Sequence, residues 1–132
     1  MYLLDTNICI YAMKKRPVEV YEHLRRVNIK HIAVSSITLA ELEYGAAKSR
    51  QSEQSRQSLF TFLTPLEILP FDDRAAEAYG HLRATLEATG QPIGPMDTLI
   101  AAHALSQGRI LVTNNEREFA RVEGLRVVNW AV

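Results

Sequence analysis

The chain has 132 residues, of which 47% are hydrophobic and 23% are charged, the balance of an ordinary soluble globular protein. That length predicts one domain spanning residues 1–132 and is too short for two. The 15 basic and 15 acidic residues give a net charge of zero, which argues against a generic basic nucleic-acid coat protein. No apolar run is long enough for a membrane span, and a lone cysteine cannot form an internal disulfide. We therefore expect a cytosolic (cytoplasmic) protein without membrane contact.

The first half of the chain alternates short apolar runs with helical patterns. Residues 1–4 predict a strand that ends abruptly at Asp5, and residues 8–13 predict a short helix. Pro17 suits the first position of a second helix, in which apolar residues recur at helical spacing, namely Val18, Tyr21, Leu24 and Val27. Residues 31–35 favour a second strand.

Ser36 is the expected cap of a third helix that runs through Ala46. Residues 48–58 are almost wholly polar, which predicts the exposed tip of a helical hairpin. Residues 66–71 then predict a third strand. Asp72 or Asp73 caps the next helix, which carries an apolar stripe and ends at Gly90, the stripe being Ala76, Tyr79, Leu82 and Leu86.

The last part of the chain begins with a rigid loop at residues 91–95. A helix over 96–107 follows, and Gly108 ends it. The remaining elements are a strand, a short helix and a last strand, predicted at residues 109–113, 116–121 and 126–130. Strands that alternate with helices imply crossover connections and a parallel sheet covered on both faces, so the fold class is α/β.

Three acidic residues lie where such a sheet would bind a ligand, beyond the carboxyl ends of its strands. Asp5 follows the first strand, while Glu41 and Asp97 lie on helices that follow crossovers. Each has an ordinary alternative, because Asp5 and Asp97 could be helix caps and Glu41 could face solvent. Gathered together, they would repel one another and raise their pKa values unless a cation lay between them. Oxygen ligands of this kind suit Mg²⁺ or Mn²⁺.

Three single residues carry further expectations. Gly45 costs about 1 kcal/mol relative to Ala inside a helix, which predicts that something closely approaches the face it shares with Glu41. His103 lies on an apolar helix and is expected to be a satisfied core histidine. Cys9, between two isoleucines, is expected to be a small core residue.

Four segments, taken together and in this order, resemble the PIN-domain ribonucleases, and among them the VapC toxins of bacterial VapBC toxin–antitoxin systems. The segments are residues 3–7 (LLDTN), 38–45 (TLAELEYG), 92–97 (PIGPMD) and 110–119 (ILVTNNEREF). The resemblance covers essentially the whole chain. It implies a three-layer α/β/α sandwich around a central parallel sheet, and Mg²⁺- or Mn²⁺-dependent endonucleolytic cleavage of RNA.

The resemblance also implies partners and a substrate. Toxins most similar to this chain cut tRNA in the anticodon stem–loop, in several cases initiator tRNA. A cognate VapB-type antitoxin inhibits such toxins, whose usual forms are a homodimer and a toxin–antitoxin hetero-oligomer. The expected reaction is attack by an activated water, which leaves a 5′-phosphate and a 3′-hydroxyl.

Matched residue by residue, the family pattern makes Asp5, Glu41 and Asp97 the catalytic and metal-binding acids. Many PIN domains have a fourth acid after the fourth strand, where this chain has Asn115. Glu118, one helical turn later, is therefore the expected fourth acid. Secondary polar candidates, which would orient carboxylates or waters, are Thr6, Asn7, Thr113 and Asn115.

Two other functions remain open from the sequence. A phosphohydrolase or phosphoacceptor domain could also place Asp5 after its first strand, but a phosphatase of that kind needs a second Asp where this chain has Asn7. A catalytically silent binding module is the other alternative, and Asn115 is its best support because a missing acid can mean lost activity.

Overall fold

A computed structural model describes residues 1–132. Its central sheet has five strands, namely β1 (Tyr2–Leu4), β2 (Ile32–Ser35), β3 (Glu67–Leu69), β4 (Ile110–Val112) and β5 (Val127–Val128). All neighbouring pairs are parallel, and the spatial order is β3-β2-β1-β4-β5. The predicted parallel sheet is therefore confirmed, and each strand lies within its predicted range but is shorter.

Seven α-helices connect and cover the strands. They are α1 (Thr6–Lys14), α2 (Val18–Arg26), α3 (Ser36–Lys48), α4 (Ser52–Leu63), α5 (Asp73–Ala88), α6 (Pro95–Gln107) and α7 (Glu116–Phe119), with a short 3-10 turn at Ile29–His31. The polar segment after α3 leads into α4, so the predicted helical hairpin is present. None of these helices combines the length and the apolar character that crossing a bilayer requires.

The alternation of side chains along each strand builds two cores, one on each face of the sheet. Leu4, Val34 and Val112 point into a core completed by α1 to α4. Leu3 and Leu111, their neighbours in the chain, point into a second core completed by α5, α6 and α7. All five of these side chains are fully buried. The molecule is thus a three-layer α/β/α sandwich.

The strand order reverses between β1 and β4. The chain runs outward from β1 through β2 to β3, then returns to the other side of β1 for β4 and β5. At this point the backbone N–H of Asp5 donates to the carbonyl of Val112 at 3.0 Å, which holds the carboxyl ends of the two strands side by side. Ligand sites of open parallel sheets lie in the crevice that such a reversal leaves.

Several local predictions were wrong. Ser35, not Ser36, caps α3, and the Ser36 hydroxyl instead accepts a hydrogen bond from the Phe71 N–H at 2.9 Å. Pro17 is the cap of α2 rather than its first residue. Val18 is 50% exposed while Val20 is fully buried, because only one side of this short helix reaches the core.

One further position, at the start of α5, differs from expectation, and another, Gly45, can be described more closely. In α5 the buried residue of the first turn is Ala75, and Ala76 is exposed. A Cβ placed on Gly45 would meet no atom within 4 Å. Packing within the chain therefore does not account for this glycine, and the predicted close approach to its face of α3 stays a prediction.

Candidate active site

Asp5 is both a helix cap and a member of the site. One carboxylate oxygen, Oδ1, accepts the N–H of Ile8 at 2.9 Å and caps α1. The other, Oδ2, accepts a hydrogen bond from the hydroxyl of Thr113. The residue is only 5% exposed. The interpretation of Asp5 as a helix cap is confirmed, and its role as a catalytic and metal-binding acid stays a prediction. The two hydrogen bonds fix the orientation of the carboxylate.

Glu41 reaches the same region from α3. Its Oε1 accepts a hydrogen bond of 2.6 Å from the hydroxyl of Thr6, in the first turn of α1. The hydroxyl oxygens of Thr6 and the buried Thr38 lie 3.3 Å apart. Glu41 thus faces α1 and not open solvent, and Thr6 orients its carboxylate.

Asp97 lies in the first turn of α6, directly behind Gly94 and Pro95. The Thr98 hydroxyl donates to the Gly94 carbonyl at 2.8 Å, which steadies this turn. Burial is the largest cause that raises the pKa of Asp97 from 3.8 to about 6, and the negative charges of Asp5, Glu118 and Glu41 are the next largest. The carboxylates predicted from distant parts of the sequence therefore act on one another electrostatically.

Glu118 completes this group of four carboxylates, with Asn115 as its direct support. The Asn115 side-chain amide donates to Oε2 of Glu118 at 2.7 Å. The Asn115 backbone N–H donates to the Thr113 hydroxyl oxygen at 3.0 Å, and that hydroxyl in turn donates to Asp5. A continuous path of hydrogen bonds therefore runs from Asp5 to Glu118 through the residues that follow β4.

The four carboxylates have no basic partner. The ion pairs of the structure join Arg26 to Glu22, Arg83 to Glu87 and Arg109 to Glu67, all outside the group. The pKa of Asp5 is raised chiefly by burial and also by Glu41, against the lowering effect of its hydrogen bonds from Thr113 and Ile8. Without a cation, the site holds negative charge in mutually unfavourable positions.

A divalent cation fits the chemistry of this donor set, since carboxylates are hard oxygen ligands. No three His, Cys, Asp or Glu side chains are already gathered closely enough to hold a metal ion. The carboxylates would therefore have to turn toward a cation as it binds. Asp97 and Glu118 are only half-buried, and Glu118 would turn while its Oε2 is held by Asn115.

Other residues predicted from the sequence have different environments. Asn7 is exposed and its side chain makes no hydrogen bond, although its backbone N–H stabilises the Asp5 carboxylate. Cys9 is a buried core residue, as predicted, and burial strongly raises the pKa of its thiol. His103 is fully buried and its Nδ1 lies 2.7 Å from the Ser35 hydroxyl. Its Nε2 has no partner, so the histidine is only half satisfied.

The PIN domain family model matches residues 2–125 of the chain. Ribonuclease VapC2 of Rickettsia felis is 47% identical over 131 residues, which covers 98% of each chain. The chain belongs to the PIN-domain family, among its VapC ribonucleases. Another relative in this family is the tRNA(fMet)-specific endonuclease VapC of Shigella flexneri, 45% identical over 98% of each chain.

Solved structures of VapC proteins share the same fold. The VapBC2 complex of Rickettsia felis, crystallised with a DNA fragment from its promoter, contains a chain that matches this one with a TM-score of 0.92 and 45% identity over 98% of each chain. PIN-domain nucleases generally depend on divalent metal ions. Membership of this enzyme family disfavours the silent module and the phosphohydrolase alike.

Proposed function

We propose that this chain is the toxin of a toxin–antitoxin pair and a Mg²⁺-dependent endoribonuclease that hydrolyses tRNA. The observation that carries the proposal is the group of four carboxylates at the reversal point of the sheet, which has no basic partner. Its members are Asp5, Glu41, Asp97 and Glu118. Mn²⁺ has the same preference for oxygen ligands and is expected to substitute for Mg²⁺.

The residues of the site divide into those that hold the cation and those that hold these ligands in place. Asp5, Glu41 and Asp97 would bind the metal, with Glu118 as the fourth acid. A bound cation would supply the positive charge that lowers the pKa of water and stabilises the leaving oxygen. Thr113 keeps the Asp5 carboxylate oriented, and Thr6 does the same for Glu41.

Attack by water on a phosphodiester, with the 3′ oxygen as leaving group, gives a 5′-phosphate and a 3′-hydroxyl. No histidine acts on Asp5 or Asp97, and the buried His103 cannot reach the 2′-hydroxyl of a bound RNA. We therefore expect hydrolysis and no cyclic phosphate.

The name of the Shigella flexneri relative makes initiator tRNA the first substrate to test. Unpaired nucleotides of a tRNA loop can be splayed out and approached by side chains, whereas a paired RNA helix hides its bases in a deep groove. The anticodon stem–loop is therefore the expected region of cleavage. The complex of the Rickettsia felis relative supports a VapB-type antitoxin as the inhibitory partner, with a homodimer as the expected toxin assembly.

The test is cleavage of total tRNA by the purified protein with Mg²⁺, with Mn²⁺ and with a chelator. We expect cleavage only with a metal, and Asp5→Asn should abolish it, because Asn can still cap α1 but brings no negative charge. Asp73→Asn is the matched control, since Asp73 is an exposed acid in the first turn of α5. Unchanged cleavage by Asp5→Asn, or a 2′,3′-cyclic phosphate at the new ends, would refute the proposal.

Sequencing the new RNA ends identifies the tRNA and the cleaved bond. Co-purification with the product of a neighbouring short reading frame tests the antitoxin, which should suppress cleavage at equimolar amounts. Light scattering of the free protein tests the homodimer.

A further inference from the structure

The side of α3 that carries Glu41 continues beyond the carboxylates as an exposed surface. A helix repeats every 3.6 residues, so Tyr44 and Lys48 lie about one and two turns beyond Glu41 on the same side. The Tyr44 ring is 66% exposed, and the Lys48 ammonium lies 5.0 Å from its centroid. An aromatic face and a cation are therefore already paired next to the carboxylates.

Gly45 leaves the space between these residues open. It lies one turn beyond Glu41, and a Cβ there would meet nothing within 4 Å. A glycine inside a helix costs about 1 kcal/mol relative to Ala, and no packing within the chain accounts for it. The bare backbone at this point allows a flat group to lie against the helix beside Tyr44. We name the surface of Tyr44, Gly45 and Lys48 the α3 platform.

The α3 platform is separate from the apolar groove between α3 and α4. That groove is lined by Leu39, Leu59 and Phe60, among others, and does not include Tyr44. Leu39 lies on the other side of α3 from Glu41 at helical spacing. Phe60 is 74% exposed, so the groove offers a second exposed aromatic on a different surface of the same helical hairpin.

We propose that the α3 platform binds an unpaired nucleotide of the RNA that flanks the cleaved phosphodiester. Its base would stack on Tyr44, and Lys48, which lies over that ring in the free protein, would move from the ring to contact the phosphate. Seven residues of helix separate Lys48 from Glu41 by about 10 Å along the axis, within reach of nucleotides next to the scissile bond. The proposal rests on the ribonuclease function proposed above and specifies how that site holds its substrate.

Charge explains why such a platform is needed. Four carboxylates repel the phosphates of RNA, and the chain has no net positive charge to offset them. Affinity for RNA must then come from local contacts outside the four carboxylates. Stacking on an aromatic ring supplies such affinity without reading the base, and it requires that the base be unpaired.

The test measures binding of a tRNA-derived stem–loop in the Asp5→Asn background with Mg²⁺ present, so that binding is separated from cleavage. Tyr44→Ala should weaken binding roughly 5- to 100-fold, whereas Tyr44→Trp should retain it. Lys48→Ala should reduce the slope of log affinity against log salt by about 0.7. The matched control is Phe60→Ala, which removes a comparably exposed ring from the groove and should leave RNA binding unchanged.

Two comparisons decide the outcome. The weakening by Tyr44→Ala should disappear when the loop is annealed to a complementary strand, and circular dichroism should show an unchanged helix content. Equal RNA binding by Tyr44→Ala, or equal losses from Tyr44→Ala and Phe60→Ala, would overturn the platform. If Tyr44→Ala binds RNA like the wild type and loses only the binding of a protein partner, the platform is overturned as well. If the wild-type protein cleaves no RNA with any divalent metal, the ribonuclease proposal itself fails.

Discussion

Removing the charge of Asp97 should stabilise the metal-free protein. Its pKa is raised from 3.8 to about 6 by burial and by three neighbouring carboxylates. The ionised form is therefore less favourable in the folded chain than in the unfolded one, by at most ~3 kcal/mol. Asp97 is only half-buried, and screening by solvent reduces the effect to about 1 kcal/mol.

The sign of this effect fixes its dependence on pH. A group whose pKa is raised by folding stabilises the fold in its protonated form. That contribution is fully present below pH 3.8 and is lost as the pH rises through about 6. In a chelator at pH 7.5, Asp97→Asn should therefore raise the free energy of unfolding by about 1 kcal/mol. For a chain of this size the melting temperature should rise by about 3–5 °C.

Addition of a divalent cation should reverse the order of stability. A cation that binds only the folded wild-type protein stabilises it by about 2.7 kcal/mol at 100 times its Kd, whereas Asp97→Asn has lost a ligand. The assay is thermal unfolding of both proteins with chelator and with Mn²⁺, at pH 5 and pH 7.5. Asp73→Asn, an exposed acid at the start of another helix, serves as control. A variant that is less stable than the wild type in chelator would refute the reasoning.

Three further predictions concern side chains that support the carboxylates or the core. Asn115→Asp keeps the shape of the side chain but loses the amide that donates to Glu118, so kcat should fall about 10-fold. A gain in activity would contradict the role of Asn115 in holding Glu118. Thr6→Val should weaken Mn²⁺ binding about 10-fold by calorimetry, while Thr6→Ser should not, because only the hydroxyl holds Glu41. His103→Leu removes the unpaired Nε2 and fills the same space, so the free energy of unfolding in urea should stay within about 1 kcal/mol of the wild type. His103→Ala leaves a cavity and should lower the free energy of unfolding by about 2–4 kcal/mol.

The sheet and the position of Asp5 could be predicted because both depend on local pattern. An apolar run that ends at Asp5 marks the end of a buried strand, and alternation with helices implies parallel pairing. The ends of the strands could not be placed from the sequence. Whether a residue such as Arg109 pairs with a neighbouring strand depends on residues that are distant in the chain. For the same reason Val20, and not Val18, turned out to be the core residue of α2.

The four carboxylates of the site were predicted from the family motifs, but the hydrogen bonds that support them were not visible in the sequence. The hydrogen bond from Thr113 to Asp5 joins residues 108 positions apart, and the one from Thr6 to Glu41 joins residues 35 apart. Gly45 suggested a close approach to α3, but the sequence could not show whether the approaching group belongs to this chain. The open space around Gly45 means that no side chain of the protein fills this position.

The choice of neutral supports follows from what the carboxylates must do. A lysine or arginine in place of Thr6, Thr113 or Asn115 would orient a carboxylate equally well but would neutralise it and compete with a cation. Hydroxyl and amide donors orient the oxygens and leave their charge available. Asp97 has no such donor, and burial together with the neighbouring carboxylates raises its pKa to about 6. Its carboxylate is therefore the one whose stability and protonation should respond most strongly when a metal binds.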